Sequence, residues 1–201
     1  MKPLAFLKGF QLYIFIILIE LQATFLAWAF EKEVSPSQLD SKVKRVLEII
    51  AQMEKANLSS QSRPLKEAIV TEDELNAYLA YRIKTEPLEM VQEVKLKLFE
   101  GNYIEGRVIL DLNQEKLPDF VPKIAVLFFS ATFKIESGKI YFDFKKIFLG
   151  AQELPVNFVS EIIKQIDLAH GNSPEGLNRS YVLPFGLKDI KSKKGLAIFY
   201  Y

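Results

Sequence analysis

Three consecutive carboxylates, Glu72, Asp73 and Glu74, are the first candidates for acid–base chemistry in this sequence. They directly follow Thr71, and a threonine with a glutamate three residues later has the form of a capping box at a helix start. Acidic side chains also favour the positive end of a helix dipole. We therefore expect these carboxylates to begin a helix rather than to catalyse a reaction.

His170 is the one histidine of the chain, and the chain has no cysteine. A metal site would need further nitrogen or sulfur ligands beside this histidine. No serine has the surroundings of a nucleophile elbow, and no glycine-rich phosphate loop occurs. A catalytic pair of carboxylates brought together from distant strands is an alternative that the sequence leaves open. The prediction is a protein that is not an enzyme and carries no metal or cofactor, with His170 in a solvated loop.

Residues 1–29 have the order of a secretory signal peptide. Lys2 and Lys8 precede an apolar run over residues 9–19, and Ala27-Trp28-Ala29 supplies the small residues that a signal peptidase requires. Export would place the remainder in the periplasm or on the outer face of the cytoplasmic membrane, secreted or anchored.

An uncleaved membrane anchor is the alternative for the same segment. Residues 9–29 number 21, and a spanning helix needs about 20. Glu20 opposes this alternative, because an acidic residue near the centre of a span costs about 2.5–3.5 kcal/mol on insertion scales. We favour cleavage, and both alternatives give the same location.

The charges of the chain nearly cancel, with a net charge of +1 over 201 residues. Nucleic-acid binding needs a basic excess on one face, so we expect no nucleic-acid partner. Without cysteine the fold depends on burial alone, for which 16 Phe and 8 Tyr supply ample apolar area. We expect an N-terminal helix and linker over residues 30–64 and one domain over residues 65–201.

Two periodicities divide the remainder of the chain. Apolar steps of three and four predict amphipathic helices over residues 39–58, after Thr71, and after Pro155. Alternation over residues 88–149 predicts strands, and the turns at Gly101-Asn102 and Ser137-Gly138 predict antiparallel hairpins. Gly150 and Leu154-Pro155 are predicted to end this sheet, and two short strands, about 187–191 and 196–200, to close the domain.

Several of these strands are about ten residues long, which favours an extended curved sheet over a compact sandwich. The predicted fold is therefore α+β, with a long curved antiparallel sheet wrapped around two or three amphipathic helices after the N-terminal signal or anchor helix.

The strand over residues 124–135 is apolar on both faces, with Ile124, Val126 and Phe128 on one of them. A half-solvated antiparallel strand alternates cleanly, so we expect the second face to meet a helix or something apolar from outside. The next strand is predicted to present one aromatic face, with Ile147 on the opposite face. The aromatic face is either part of the core or the wall of a ligand site. That face comprises Ile140, Phe142, Phe144 and Phe148.

Three segments, taken in order, resemble small bacterial envelope proteins of the tubular lipid-binding (TULIP-like) type. Residues 70–79 are similar to their "threonine/serine-x-x-glutamate-leucine-asparagine-x-x-leucine" helix start, and residues 148–155 to their glycine-then-leucine-proline step from sheet to helix. Residues 183–187 with the following hairpin resemble their ending. The resemblance covers residues 70–201. These residues correspond to one lipid-binding unit, whereas the larger lipid-transfer members of this type contain two. The resemblance implies a highly curved sheet with an apolar groove that holds lipid acyl chains.

Such a groove needs only an apolar wall that excludes water. We predict non-catalytic acyl-chain binding at the bacterial cell envelope, with lipid or another apolar ligand, the membrane surface and an envelope protein as expected partners. The alternative is a structural or interaction module of an envelope assembly with a filled core. The predicted groove lining is Val126, Phe128, Phe142, Phe144, Val159 and Ile163.

Overall fold

A computed structural model of the chain describes residues 39–58, 64–85, 91–111, 113, 123–169, 173–184 and 186–201. The predicted signal segment, the linker at 59–63 and His170 lie outside these residues. The described part combines a curled antiparallel sheet, which forms a half-barrel, with three α-helices. The predicted α+β class and the wrapping of a sheet around helices are confirmed.

The helices are α1 (Ser41–Leu58), α2 (Glu72–Thr85) and α3 (Val156–Ala169). The strands are β1 (Glu67–Thr71), β2 (Val91–Leu98), β3 (Tyr103–Asp111), β4 (Ile124–Glu136), β5 (Lys139–Leu149), β6 (Gln152–Leu154), β7 (Ser180–Val182), β8 (Asp189–Lys193) and β9 (Leu196–Tyr200).

Strands β2 to β5 form consecutive antiparallel neighbours, and both β6 and β7 pair with the far edge of β5. The two predicted hairpins are confirmed. Ser137-Gly138 is a two-residue turn between Glu136 and Lys139 with positive φ at both residues, as the primed type I′ requires. The β2–β3 hairpin closes through a three-residue loop, Glu100-Gly101-Asn102, between Phe99 and Tyr103, with positive φ at Gly101 and Asn102. The long strands β4 and β5, of 13 and 11 residues, form the middle of the half-barrel.

The end of the sheet was predicted at Gly150 and Leu154-Pro155, and the structure places it at the second of these: the sheet continues beyond Gly150 and ends with Leu154. Gly150 has a φ of 58° and lies in a tight turn, after which β6 pairs with residues 147–149 of β5. A three-residue strand of sequence Gln-Glu-Leu is too short to show an alternating pattern, so periodicity could not reveal it.

A second sheet contains β1, β9 and β8, in that order. Helix α1 packs on it through Val46 and Ile50, which share a cluster with Val70, and through Met53. Three hydrogen bonds tie this sheet to the β2–β3 hairpin: the Gly195 amide donates to the Leu98 carbonyl (2.9 Å), the Ser192 hydroxyl to the Phe99 carbonyl (2.7 Å), and the Ser192 amide to the Asn102 side-chain oxygen (2.9 Å).

The outer edge of β2 is closed by side chains of α2. The Asn76 side-chain amide donates to the Leu96 carbonyl and accepts from the Leu96 amide, both at 2.8 Å. Glu72 accepts from the Leu98 amide at 2.7 Å. These bonds take the place of a neighbouring strand, which protects an otherwise sticky edge. Within the described residues, none of the helices is long and apolar enough to cross a bilayer.

Candidate functional site

The three carboxylates that begin α2 have structural partners. The Glu74 amide donates to the Thr71 hydroxyl (3.2 Å), and the Thr71 amide donates to the Glu74 carboxylate (2.8 Å), which confirms the predicted capping box. Asp73 forms an ion pair with Lys42 at 3.1 Å. These carboxylates thus cap the start of α2 through Thr71 and join it to α1 through Lys42.

Glu74 is also paired with Arg45, which reaches from α1. Partial burial raises the pKa of the Glu74 carboxyl, but the hydrogen bonds from the Thr71 backbone and from Arg45 more than offset this effect. The pKa therefore lies below its usual value. A carboxylate held ionised in this way stabilises the helix start and is a poor general acid.

The structure brings together four of the six predicted lining residues and separates two. Phe144, Val159 and Ile163 belong to one apolar cluster on the concave face, and Phe142 lies on the same face, packed against Phe133. Val126 and Phe128 point to the opposite, convex face, because the alternate residues of β4 are the ones that contribute to the concave clusters. The prediction of a single six-residue lining is therefore wrong for Val126 and Phe128.

A β-bulge also overturns the predicted aromatic face of β5. Ser130 pairs with Lys146, whereas the next residue, Ala131, pairs with Phe144, so β5 carries an extra residue at this point. The extra residue reverses the alternation. Ile147 consequently joins the concave core, and Phe148 pairs with Phe128 on the convex face.

The concave face carries a row of aromatic rings, which we call the aromatic row: Phe129, Phe133, Phe142, Phe144 and Tyr181. Phe142 is its centre, at centroid distances of 6.2 Å from Phe144, 6.3 Å from Phe133 and 6.1 Å from Tyr181. Phe129 meets Phe144 edge-on at 5.7 Å. These distances fall in the range that aromatic pairs prefer.

Gly106 of β3 leaves room for one ring of this row. A Cβ atom at position 106 would lie 2.2 Å from the Phe129 ring, so that ring rests on bare backbone. Phe129 did not enter the predicted lining. Alternation along β4 places Phe129 on the same face as Leu127 and Phe133, and this was the indication of its role that the sequence contained.

Helix α3 closes one end of the concave face. Val159 and Ile163 are 1% exposed and pack with Ile147 and Leu177. The Leu177 amide donates to the Ser160 hydroxyl at 3.2 Å, which fixes the short 3-10 helix (Gly176–Asn178) against α3. At this end the apolar surface is sealed.

The convex face presents its own apolar surface, the convex strip: Ile109, Ile124, Val126, Phe128 and Phe148. Its members lie side by side on β3, β4 and β5, since Val126 pairs with Ile109 and Phe128 with Phe148. Ile124 and Phe128 are each 42% exposed. Within the described residues no helix covers these two side chains, and the prediction that this face meets something apolar from outside stays a prediction.

Among the residues that the structure describes, no group of three or more acidic or histidine side chains could hold a metal ion. The aromatic row and the convex strip are the candidate sites because each places apolar side chains next to one another on the sheet, and the chemistry that they offer is the sheltering of hydrocarbon. No protein-family model matches the chain, and the search of curated proteins found no match.

Proposed function

We propose that this protein binds the acyl chain of a lipid on the concave face of the half-barrel and leaves it chemically unchanged. The observation that carries the proposal is the contrast along that face: Phe142 and Phe144 stay half-buried, whereas Val159 and Ile163 beside them are 1% exposed. Partly exposed rings beside a fully buried core form an apolar wall against which an acyl chain can pack.

The proposed place of action is the bacterial cell envelope, with lipid transport or envelope maintenance as its purpose. The signal-like order of residues 1–29 supports this location, and so does the resemblance of residues 70–201 to TULIP-like proteins. A curled sheet around helices is the architecture that this resemblance implies.

Lipid extraction tests the proposal. The full chain is purified without detergent, extracted with organic solvent, and the extract is quantified by mass spectrometry. We expect about one lipid per chain, with less in Phe144→Ser and an unchanged amount in Phe128→Ser, which alters the other face. A lipid-free protein that also fails to take up added fatty acid would contradict the proposal.

The alternative is an interaction module whose interior is filled. The near-complete burial of Val159 and Ile163 favours it, because sealed contacts of this kind need no ligand. Co-purification of a stoichiometric protein with an empty lipid extract would support this alternative instead.

A further inference from the structure

We propose that the convex strip docks the protein on a zwitterionic lipid bilayer, an inference that goes beyond acyl-chain binding and concerns the other face of the sheet. Ile124 and Phe128 are each 42% exposed and lie four residues apart on the same strand, with Val126 between them on the same face. Side chains that stand out from a sheet in this way can enter the headgroup and acyl boundary of a bilayer.

The charges beside the strip are balanced in sign. Lys123 and Lys146 are exposed and form no salt bridge within the described part of the chain. Asp111 is paired with Ile124 across the strands, and Glu153 with Phe148. Two cations against two anions fit a surface that itself carries both signs, as phosphate and amine groups do in a zwitterionic headgroup layer.

A further charge cluster beside the strip is neutralised internally except for one positive charge. Arg107, which is paired with Phe128 across the strands, binds Glu93, and Lys95 Nζ lies 3.7 Å from the same carboxylate. The hydrogen bond from this guanidinium lowers the pKa of Glu93, so the ion pair stays intact near neutral pH. The face therefore has no strong excess of either charge that would select an anionic or cationic partner.

The size of the strip argues against a protein partner. A stable protein–protein interface uses about 20–30 residues a side, and the convex strip has five. A bilayer does not require a large complementary footprint, because each apolar side chain that enters it contributes separately.

A single-site reporter tests the inference. The chain has no cysteine, so Ile124→Cys can be labelled with a polarity-sensitive dye in the full chain, without removing Phe128. Val182→Cys on β7, where the native side chain is 75% exposed, is the matched control. With phosphatidylcholine vesicles we expect a blue shift and quenching by lipid-borne quenchers at position 124, and neither change at position 182.

Phe128→Ser in the chain labelled at position 124 shows whether the strip acts as one surface. We expect about a tenfold loss of vesicle binding at position 124, the loss expected from one large apolar side chain, while Val182→Ser leaves binding unchanged. Membrane contacts made elsewhere in the chain are the same in both variants, so they do not affect the difference in vesicle binding between Phe128→Ser and Val182→Ser.

Three results would overturn the inference. The first is an unshifted dye at position 124, and the second is insertion that requires anionic phosphatidylglycerol. The third is a blue shift without vesicles that grows with protein concentration, which would assign the strip to a second copy of the chain. None of these results bears on lipid extracted from the concave face.

Discussion

The two faces of β4 carry similar side chains in different surroundings. On the concave face Ala131 is 0% exposed and packs with Ile104 and Phe133. On the convex face Ile124 and Phe128 remain 42% exposed. Composition does not explain this difference over residues 124–129, because both faces are apolar there. The direction in which the sheet curls decides which face the helices cover.

The comparison has an energetic consequence. Apolar area removed from water stabilises the folded state by about 25 cal/mol per Å², so the concave side chains contribute to folding. The convex strip leaves a large part of this energy unused in the isolated chain, where it is available for binding.

Substitution of matched isoleucines should give the greatest contrast. Ile163→Ala on the concave side removes a side chain that is 1% exposed, and it should lower the free energy of unfolding by about 2–5 kcal/mol. Ile124→Ala on the convex side should change it by no more than about 0.5 kcal/mol. Urea unfolding followed by circular dichroism measures both, and equal losses would refute the division of the two faces.

Gly106→Ala should have the next largest effect. Its Cβ would lie 2.2 Å from the Phe129 ring, and overpacking of this kind costs about 1–3 kcal/mol. In a Phe129→Leu background the same substitution should cost clearly less, because the ring that it displaces is gone. Equal costs in the two backgrounds, measured by thermal or urea unfolding, would show that Phe129 does not rest on Gly106.

Asn76→Leu should open the edge of β2. It leaves the Leu96 amide and carbonyl without the two 2.8 Å partners that they have now, and the expected loss is about 1–3 kcal/mol. Hydrogen exchange of the Leu96 amide should accelerate more than that of amides in the middle of the sheet. Unchanged protection at Leu96 would mean that α2 does not close this edge.

Glu74→Gln should change how stability depends on pH. The pKa of Glu74 is lowered in the folded state from a usual value of 4.5, so its contribution is present above that value and is lost as the pH falls through the folded-state pKa. Acidification should therefore destabilise the native chain more than Glu74→Gln. Glu100→Gln, at an exposed turn position, is the control and should follow the native chain.

Local patterns were sufficient for most of the fold. Thr71 and Glu74 indicated a helix start, and Gly101-Asn102 indicated a hairpin, because in each case the determining contacts lie within a few residues. The bulge in β5 was beyond such reasoning. It depends on how Lys146 pairs with Ser130 across two strands, and no residue near it marks the extra position.

The candidate site was predictable only in part, for the same reason. Alternation within β4 already placed Val126 and Phe128 on a face of their own, but it could not say which face the helices cover. Once the bulge had reversed β5, Phe144 and Ile147 shared the concave face, and Phe148 lay with Phe128. An error of one position in register thus moves a side chain from one surface to the other.

Titration of the full chain with a fluorescent fatty acid tests acyl-chain binding on the concave face most directly, with Phe144→Ser and Phe128→Ser as the pair of variants. We expect saturable binding at one fatty acid per chain, weakened about tenfold by Phe144→Ser, as burial of one aromatic side chain implies, and unaffected by Phe128→Ser. Absence of saturable binding, or an equal effect of both variants, would contradict acyl-chain binding on this face.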